Sequence, residues 1–333
     1  VTPYSAPPSA RLAVTLGDPR GIGPEVMSVA ARRFLDEDPG VELLVLGPAG
    51  SDPGVGEYRP MGEWDGSEVS AGAVSFAALE TAVELATAGV VAGIVTGPVH
   101  KPALQAAGSR HPGQTELLQA LAGADESGML MCAERTRLGA PLRVLLATRH
   151  IPLAGVASHV TIDLLVRQTR LLLGGLRTDW AIAEPRVALC ALNPHASDGG
   201  LFGDEEERVY APALEALGGA VGRVAGPLPA DTVFVRALRG EFDAVVAPYH
   251  DVAMAALKTV SFGTGVNVTL GLPFVRTSPD HGTAFDIAGR GVADASSALE
   301  AMRLASRVAV NRAAASGGAG GQGDRAAALP ATP

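Results

Sequence analysis

Three histidines stand just beyond apolar runs of β type: His150 after LRVLLAT, His195 after RVALCAL and His250 after FDAVVAPY. They are 45 and 55 residues apart (195−150 and 250−195), so only the fold can bring them together. Three neutral imidazoles suit a divalent transition ion and leave coordination positions open for a substrate. An ion held this way favours ionisation of a secondary alcohol, the hard part of hydride abstraction. Asp231 and Asp251 lie close by in sequence and carry the chemistry to orient the imidazoles or to join the ion. The same residues also read as hydrogen-bonded loop histidines, turn aspartates and helix caps. Spacing alone leaves both readings open.

The elements that must position these groups are legible as a pattern. RLAVTL, VELLVLG, VAGIVTG, LRVLLAT, RVALCAL, FDAVVAPY and VNVTLGL are strand candidates, several apolar at consecutive positions as in sheets buried on both faces. VSFAALETAVELATA, IDLLVRQTRLLLGGLR and SSALEAMRLASRVAVNRA have helical spacing. The alternation predicts an α/β fold with a largely parallel sheet. Polar residues also gather after other strands, Gly17–Asp18 after AVTL and Thr96–Gly97–Pro98 after AGIV. Five such strand ends are the layout of an α/β active site.

Composition narrows the function classes. With 333 residues, 47% hydrophobic and 18% charged, the chain can bury a sizeable core. A net charge of −9 argues against a nucleic-acid surface, though a few local Lys and Arg side chains suffice for a small anion. Cys132 and Cys190, the two cysteines, sit in apolar runs and read as buried thiols of a reducing compartment. VTPYSAPPSARLAV has no basic region followed by an apolar run of signal-peptide length, and no run of 18 apolar residues occurs. The expectation is a cytoplasmic protein with no membrane partner. Residues 1–10 and 313–333 are expected to be flexible tails.

A set of phrases then carries a resemblance. GDPRGIGPEV, TGPVHKPAL, ATRHIPL, LNPHASDGGLFGDEE, GPLPADTVF and the stretch from Tyr249 to Gly291 together resemble the 4-hydroxythreonine-4-phosphate dehydrogenase (PdxA) family, over about residues 11–310. The resemblance implies an isocitrate/isopropylmalate-dehydrogenase-like fold: two α/β/α domains with a cleft between them, one built from 11–120 plus 275–312 and the other from 121–274. It implies a homodimer with a shared site, and a divalent metal (zinc, alternatively Co, Mn, Ni or Mg) on His150, His195 and His250, at least one from the second chain. Thr115, Lys258, Asn267 and Arg276 match the family's substrate contacts. The implied reaction oxidises the 3-hydroxyl of 4-phosphooxy-L-threonine with NAD or NADP. The product is a β-keto acid, which loses carbon dioxide to give 3-amino-2-oxopropyl phosphate on the route to pyridoxal 5'-phosphate. Lys258 then serves as proton donor or electrostatic clamp. Taken on their own residues, Lys258 also reads as a surface lysine and Arg276 as a partner of Asp280 or Asp286.

No G-x-G-x-x-G follows a strand, so the dinucleotide is expected on loops, with Gly282, Gly289 and Gly291 of DHGTAFDIAGRG as candidates. Two departures bear on the substrate. The family's Gly-His-Thr-Glu is Gly113-Gln114-Thr115-Glu116 here, and Tyr-His-Asp-Gln-Gly is Tyr249-His250-Asp251-Val252-Ala253. Gln114 can still bond a phosphate or carboxylate but cannot ionise; His111, three residues before it, reads either as a compensating polar group or as a surface residue. They keep alive a paralogous dehydrogenase of 4-phosphothreonate or of a dihydrodiol carboxylate. A phosphate acyltransferase, which needs neither metal nor nicotinamide, is the alternative from another class.

Overall fold

The computed structural model describes residues 11–219 and 222–319. In chain order the first elements are β1 (Arg11–Thr15), α1 (Gly23–Glu37), β2 (Glu42–Gly47), β3 (Glu57–Pro60), α2 (Glu68–Thr87), β4 (Gly93–Thr96), α3 (Lys101–Ala106) and α4 (Gln114–Leu121). Then come β5 (Gly128–Ala133), β6 (Leu142–Leu146), α5 (Val156–His159), α6 (Ile162–Thr178), β7 (Arg186–Cys190), α7 (Ala211–Leu217) and β8 (Arg223–Leu228). The last are α8 (Ala230–Leu238), β9 (Ala244–Ala247), α9 (His250–Ser261), β10 (Val266–Leu270), β11 (Val275–Pro279) and α10 (Ser296–Ala319).

All seven strand candidates and all three helix candidates form. α6 shows why: Thr161 caps it by accepting the Leu164 N–H, and Leu165, Thr169, Leu172 and Leu176 recur on one buried face. α10 continues through 313–319, where composition predicts a flexible tail. Residues 1–10 and 320–333 lie outside the described residues. α2 is long and apolar enough to cross a bilayer by composition, but it packs against β1, β2, β4, α3 and α4.

The strands form one sheet in the order β3-β2-β1-β4-β11-β10-β5-β6-β9-β7-β8. Seven of the ten pairings are parallel. The three antiparallel ones, β11–β10, β10–β5 and β5–β6, are consecutive and lie in the middle. The sheet therefore crosses without a break from one parallel half to the other. The divisions expected after residues 120 and 274 fall at the end of α4 and in the turn between β10 and β11.

The two faces of this sheet are covered differently, and that difference makes the site. On one face a single core runs the whole width under α1, α6, α7 and α10, built on Leu12, Val45, Val95, Leu130, Leu189 and Val268 among others. On the other face there are two separate cores. One packs α2 and α4 on the first half, through Leu79 and Leu118; the other packs α8 and α9 on the second, through Val233 and Leu257. Between them the outward residues of the central antiparallel strands are left to line a cavity. Cys132 in β5 and Cys190 in β7 are buried free thiols.

Candidate active site

The cavity measures about 650 Å³, and its floor is set by strand register. Asn267 of β10 pairs with Ser278 of β11 on one side and Met131 of β5 on the other. Alternation in a strand puts Arg276, two residues before Ser278, on the same face. All four line the cavity.

Arg276 is 2% exposed, yet no carboxylate bonds it. Its guanidinium donates to Thr96 Oγ1 (3.2 and 2.8 Å), Thr269 Oγ1 (2.9 Å) and Gln114 Oε1 (2.7 Å). Neither Asp280 nor Asp286 is among its partners. Burial pulls its pKa down to about 10, with the more distant Glu116 opposing. A buried, unpaired cation is costly, so its presence on a cavity floor points to an anionic ligand. Three further buried atoms on the cavity lack partners: Gln114 Nε2, Asn267 Oδ1 and His281 Nε2. Thr115, also buried, lies beside Gln114 at the start of α4.

The opposite wall carries two histidines. β6 and β9 are parallel neighbours, so the residues after them emerge side by side. His150 follows β6 and His250 opens α9. Their rings lie 5.2 Å apart, centroid to centroid, at 44°. His250 Nδ1 is 2.7 Å from Asp251 Oδ1, which leaves Nε2 as the free nitrogen. Burial, then the proximity of His250 and Lys101, holds the His150 pKa below the ordinary imidazole value. That favours the neutral, ligand form. The pair therefore suits a divalent ion, as two of its donors.

The third histidine is elsewhere. His195 follows β7, the neighbour of β9 on its far side, but it is exposed and does not line the cavity. Among the described residues no three His, Cys, Asp or Glu side chains converge. The loop carrying it has left-handed backbone at His195 (φ 52°), Ala196 (φ 55°) and Ser197 (φ 69°), costing about 1–2 kcal/mol per residue. Asp231 is exposed at the start of α8 and does not line the cavity either. Lys258 is exposed on α9, in a shallower hollow of about 570 Å³. His250, Met254 and Asp280 line both the hollow and the main cavity, so the two adjoin.

Gly282 lies at the cavity edge, whereas Gly289 (φ 73°) and Gly291 (φ 68°) are exposed beyond it. This loop is held against the turn after β1. Ile22 N–H donates to Thr283 O (2.9 Å), and a Cβ at Gly21 would come within 2.6 Å of that oxygen. Arg20, ion-paired to Asp18 (2.9 Å) and Glu68 (2.7 Å), stacks on Phe285. Sequence reasoning missed three charged lining residues, Lys101, Glu116 and Arg149, while His111 does not line the cavity. Arg149 directly precedes His150 and follows β6, so the strand-end pattern held a signal for it.

Residues 50–305 match the family described as pyridoxal phosphate biosynthetic protein PdxA. The chain belongs to the PdxA family. Among its PdxA-family relatives, a 4-hydroxythreonine-4-phosphate dehydrogenase from Ruegeria sp. (strain TM1040) is 40% identical over 326 residues, 90% of this chain and 97% of that protein. The crystal structure of a 4-hydroxythreonine-4-phosphate dehydrogenase from Klebsiella pneumoniae superposes with a TM-score of 0.80 at 35% identity, covering 90% of this chain and all of that one. Isocitrate dehydrogenase from Methylococcus capsulatus shares the fold, with a TM-score of 0.52 at 16% identity over 92% of this chain and 88% of that one. The expected isocitrate-dehydrogenase-like α/β fold of this PdxA-family chain is therefore borne out.

Proposed function

We propose that the chain is a 4-hydroxythreonine-4-phosphate dehydrogenase, oxidising the 3-hydroxyl of 4-phosphooxy-L-threonine in pyridoxal 5'-phosphate biosynthesis. One observation carries the reading beyond family membership: Arg276, a buried cation with no carboxylate partner, shares a cavity with the His150–His250 pair. Arg276, Gln114 Nε2 and the Thr115 hydroxyl bind the phosphate or carboxylate. Asn267 Oδ1 accepts from the substrate's hydroxyl or amino group and sets its orientation. Met129, Met131 and Met254 line the same cavity and exclude water.

His150 and His250, with His195 from a second copy of the chain, would hold a divalent ion, zinc first and Co, Mn, Ni or Mg as alternatives. When bound, it supplies Lewis acidity at the reacting alcohol. NAD or NADP, along the 280–291 loop and its glycines 282, 289 and 291, supplies the hydride acceptor. The two electrons leave as hydride and the hydroxyl proton goes to solvent. The β-keto acid then loses carbon dioxide to give 3-amino-2-oxopropyl phosphate. Lys258, in the adjoining hollow, donates the proton that replaces carbon dioxide or clamps the developing charge. Asp251 orients His250; Asp231 would act only across the dimer. We assign the reaction to the cytoplasm, where two buried free thiols are at home.

The test is reduction of NAD and NADP followed at 340 nm, with 4-phosphooxy-L-threonine and 4-phosphothreonate in parallel, with and without chelator. Chelator-sensitive turnover favouring the amino acid phosphate is expected. Turnover of phosphothreonate alone moves the protein to a paralogous reaction, which the neutral Gln114 would explain. No reduction with either substrate, after supply of Zn, Co or Mn, overturns the assignment.

A further inference from the structure

The loop that follows β7 presents His195 on six consecutive left-handed residues. The φ values are 52° at His195, 55° at Ala196, 69° at Ser197, 44° at Asp198, 68° at Gly199 and 94° at Gly200. Four of the six carry side chains, for which this conformation is disfavoured, so the surroundings must impose it. One side chain reaches both the entry and the middle of the loop. Glu206 is 5% exposed. Its Oε1 accepts the Leu192 N–H (2.9 Å) and the Asn193 N–H (2.8 Å). Its Oε2 accepts Asn193 Nδ2 (2.9 Å) and the Ser197 hydroxyl.

The return path of the chain is fitted to the same group. Glu205 Oε2 takes a hydrogen bond from Asn193 Nδ2 (2.7 Å), and a Cβ at Gly203 would stand 2.7 Å from both of those atoms. Glu206 itself opens a single π-helical turn, Glu206–Tyr210, a geometry that recurs at functional sites.

We propose that Glu206 is a positioning residue for His195: its carboxylate holds the left-handed loop and so sets where the exposed imidazole is presented. The inference rests on the reading of His195 as a metal ligand to a site on a second copy. Glu206 touches neither substrate nor metal; it acts through Asn193 and Ser197. An ionised carboxylate suits the site because the two backbone N–H groups and the Asn193 amide can only donate to it, and the Ser197 hydroxyl donates as well. A glutamine keeps the acceptor at Oε1 for the two backbone N–H groups and can donate to the Ser197 hydroxyl, but it sets a donor against the Asn193 side-chain amide, so it weakens the clamp without removing it.

The experiment uses the full chain and two readouts, calorimetric titration with Zn²⁺ or Co²⁺ alone and hydrogen exchange of the metal-free protein. Wild type, H195A, E206Q and E206A are compared. Metal binding should weaken about 10-fold in E206Q and about 100-fold in E206A, and be lost in H195A. Exchange across 191–204 should quicken in E206A and less in E206Q, with β9 and β10 unchanged. Wild-type metal affinity in both Glu206 variants, alongside loss in H195A, overturns the inference and leaves the metal reading standing. Undiminished binding in H195A sinks the metal reading instead, and the exchange data then decide the clamp alone. Unchanged exchange in E206A overturns the clamp. Should E206A fail to fold, the near-isosteric E206Q answers the same questions.

Discussion

Arg276 and His195 both belong to short phrases that carry the family resemblance, yet the protein holds them by opposite means. Arg276 stands on a central strand, buried, with neighbours supplied by register and alternation. His195 stands on an exposed loop with backbone that its own residues disfavour, held by hydrogen bonds to the carboxylates of Glu206 and Glu205. The floor is complete within a single chain; the loop presents its histidine away from that floor. Rigid sheet suits a group that must wait, desolvated, for an anion. A clamped loop suits a group offered to another molecule. The price of the first is an unpaired charge, and the cost of the second is backbone strain.

Replacing the buried cation should separate stability from function most sharply. Arg276→Met is expected to raise KM for the phosphorylated substrate about 100-fold, or about 2.7 kcal/mol. The ligand-free protein should melt at the same temperature or higher, since an unpaired buried charge is removed. Steady-state kinetics and thermal melts check this; an unchanged KM in a folded variant would make the floor merely structural.

Acid should release the loop before the floor. Burial alone would raise the Glu206 pKa, but its hydrogen-bond donors outweigh that and hold it below the ordinary carboxylate value. With a depressed folded pKa, its stabilisation is present above the unfolded value and disappears as pH falls through the folded one. The floor's bonds to Thr96, Thr269 and Gln114 involve no titrating partner. Hydrogen exchange corrected for intrinsic rates, between about pH 5 and about pH 3, should show protection in 191–204 falling roughly tenfold before β10 and β11 change. Simultaneous loss in both regions would erase the distinction. The smallest effect is expected at Gln114→His, which sharpens the account of the floor. It should shift the kcat/KM ratio between 4-phosphooxy-L-threonine and 4-phosphothreonate only about three- to tenfold, with a new pH dependence near neutrality.

How much of this could be read from residues alone divides along the same line. Strands with an unbroken apolar run, such as VLL within β6 and AVVA in β9, declared themselves. β11 (VRTSP) did not, because Arg276, Thr277, Ser278 and Pro279 follow its single valine and leave no apolar run; EYRP and RVAGPL likewise lack the pattern. GMLMCA was passed over although it is apolar, and it supplies Met129 and Met131 to the floor. Gln114, Thr115, Asn267, Arg276, His150 and His250 do meet in one cavity. Their meeting depends on three consecutive antiparallel pairings that no local pattern encodes. Glu206 was invisible for a different reason: its role lies in which atoms it accepts from, and a run of four acidic residues, 204–207, after a glycine-rich loop looks like surface.

The position of β11 has a consequence for how the protein is made. It lies between β4 and β10, and Arg276 meets Thr96 across 180 residues of chain. During synthesis from the N-terminus, β4 leaves the ribosome with one edge paired to β1 and the other open until almost the whole chain has emerged. An open apolar edge is a template for wrong pairing between nascent chains. The anion-binding floor is therefore among the last parts to be assembled, and a truncated product would expose a bare strand edge rather than a half-active enzyme.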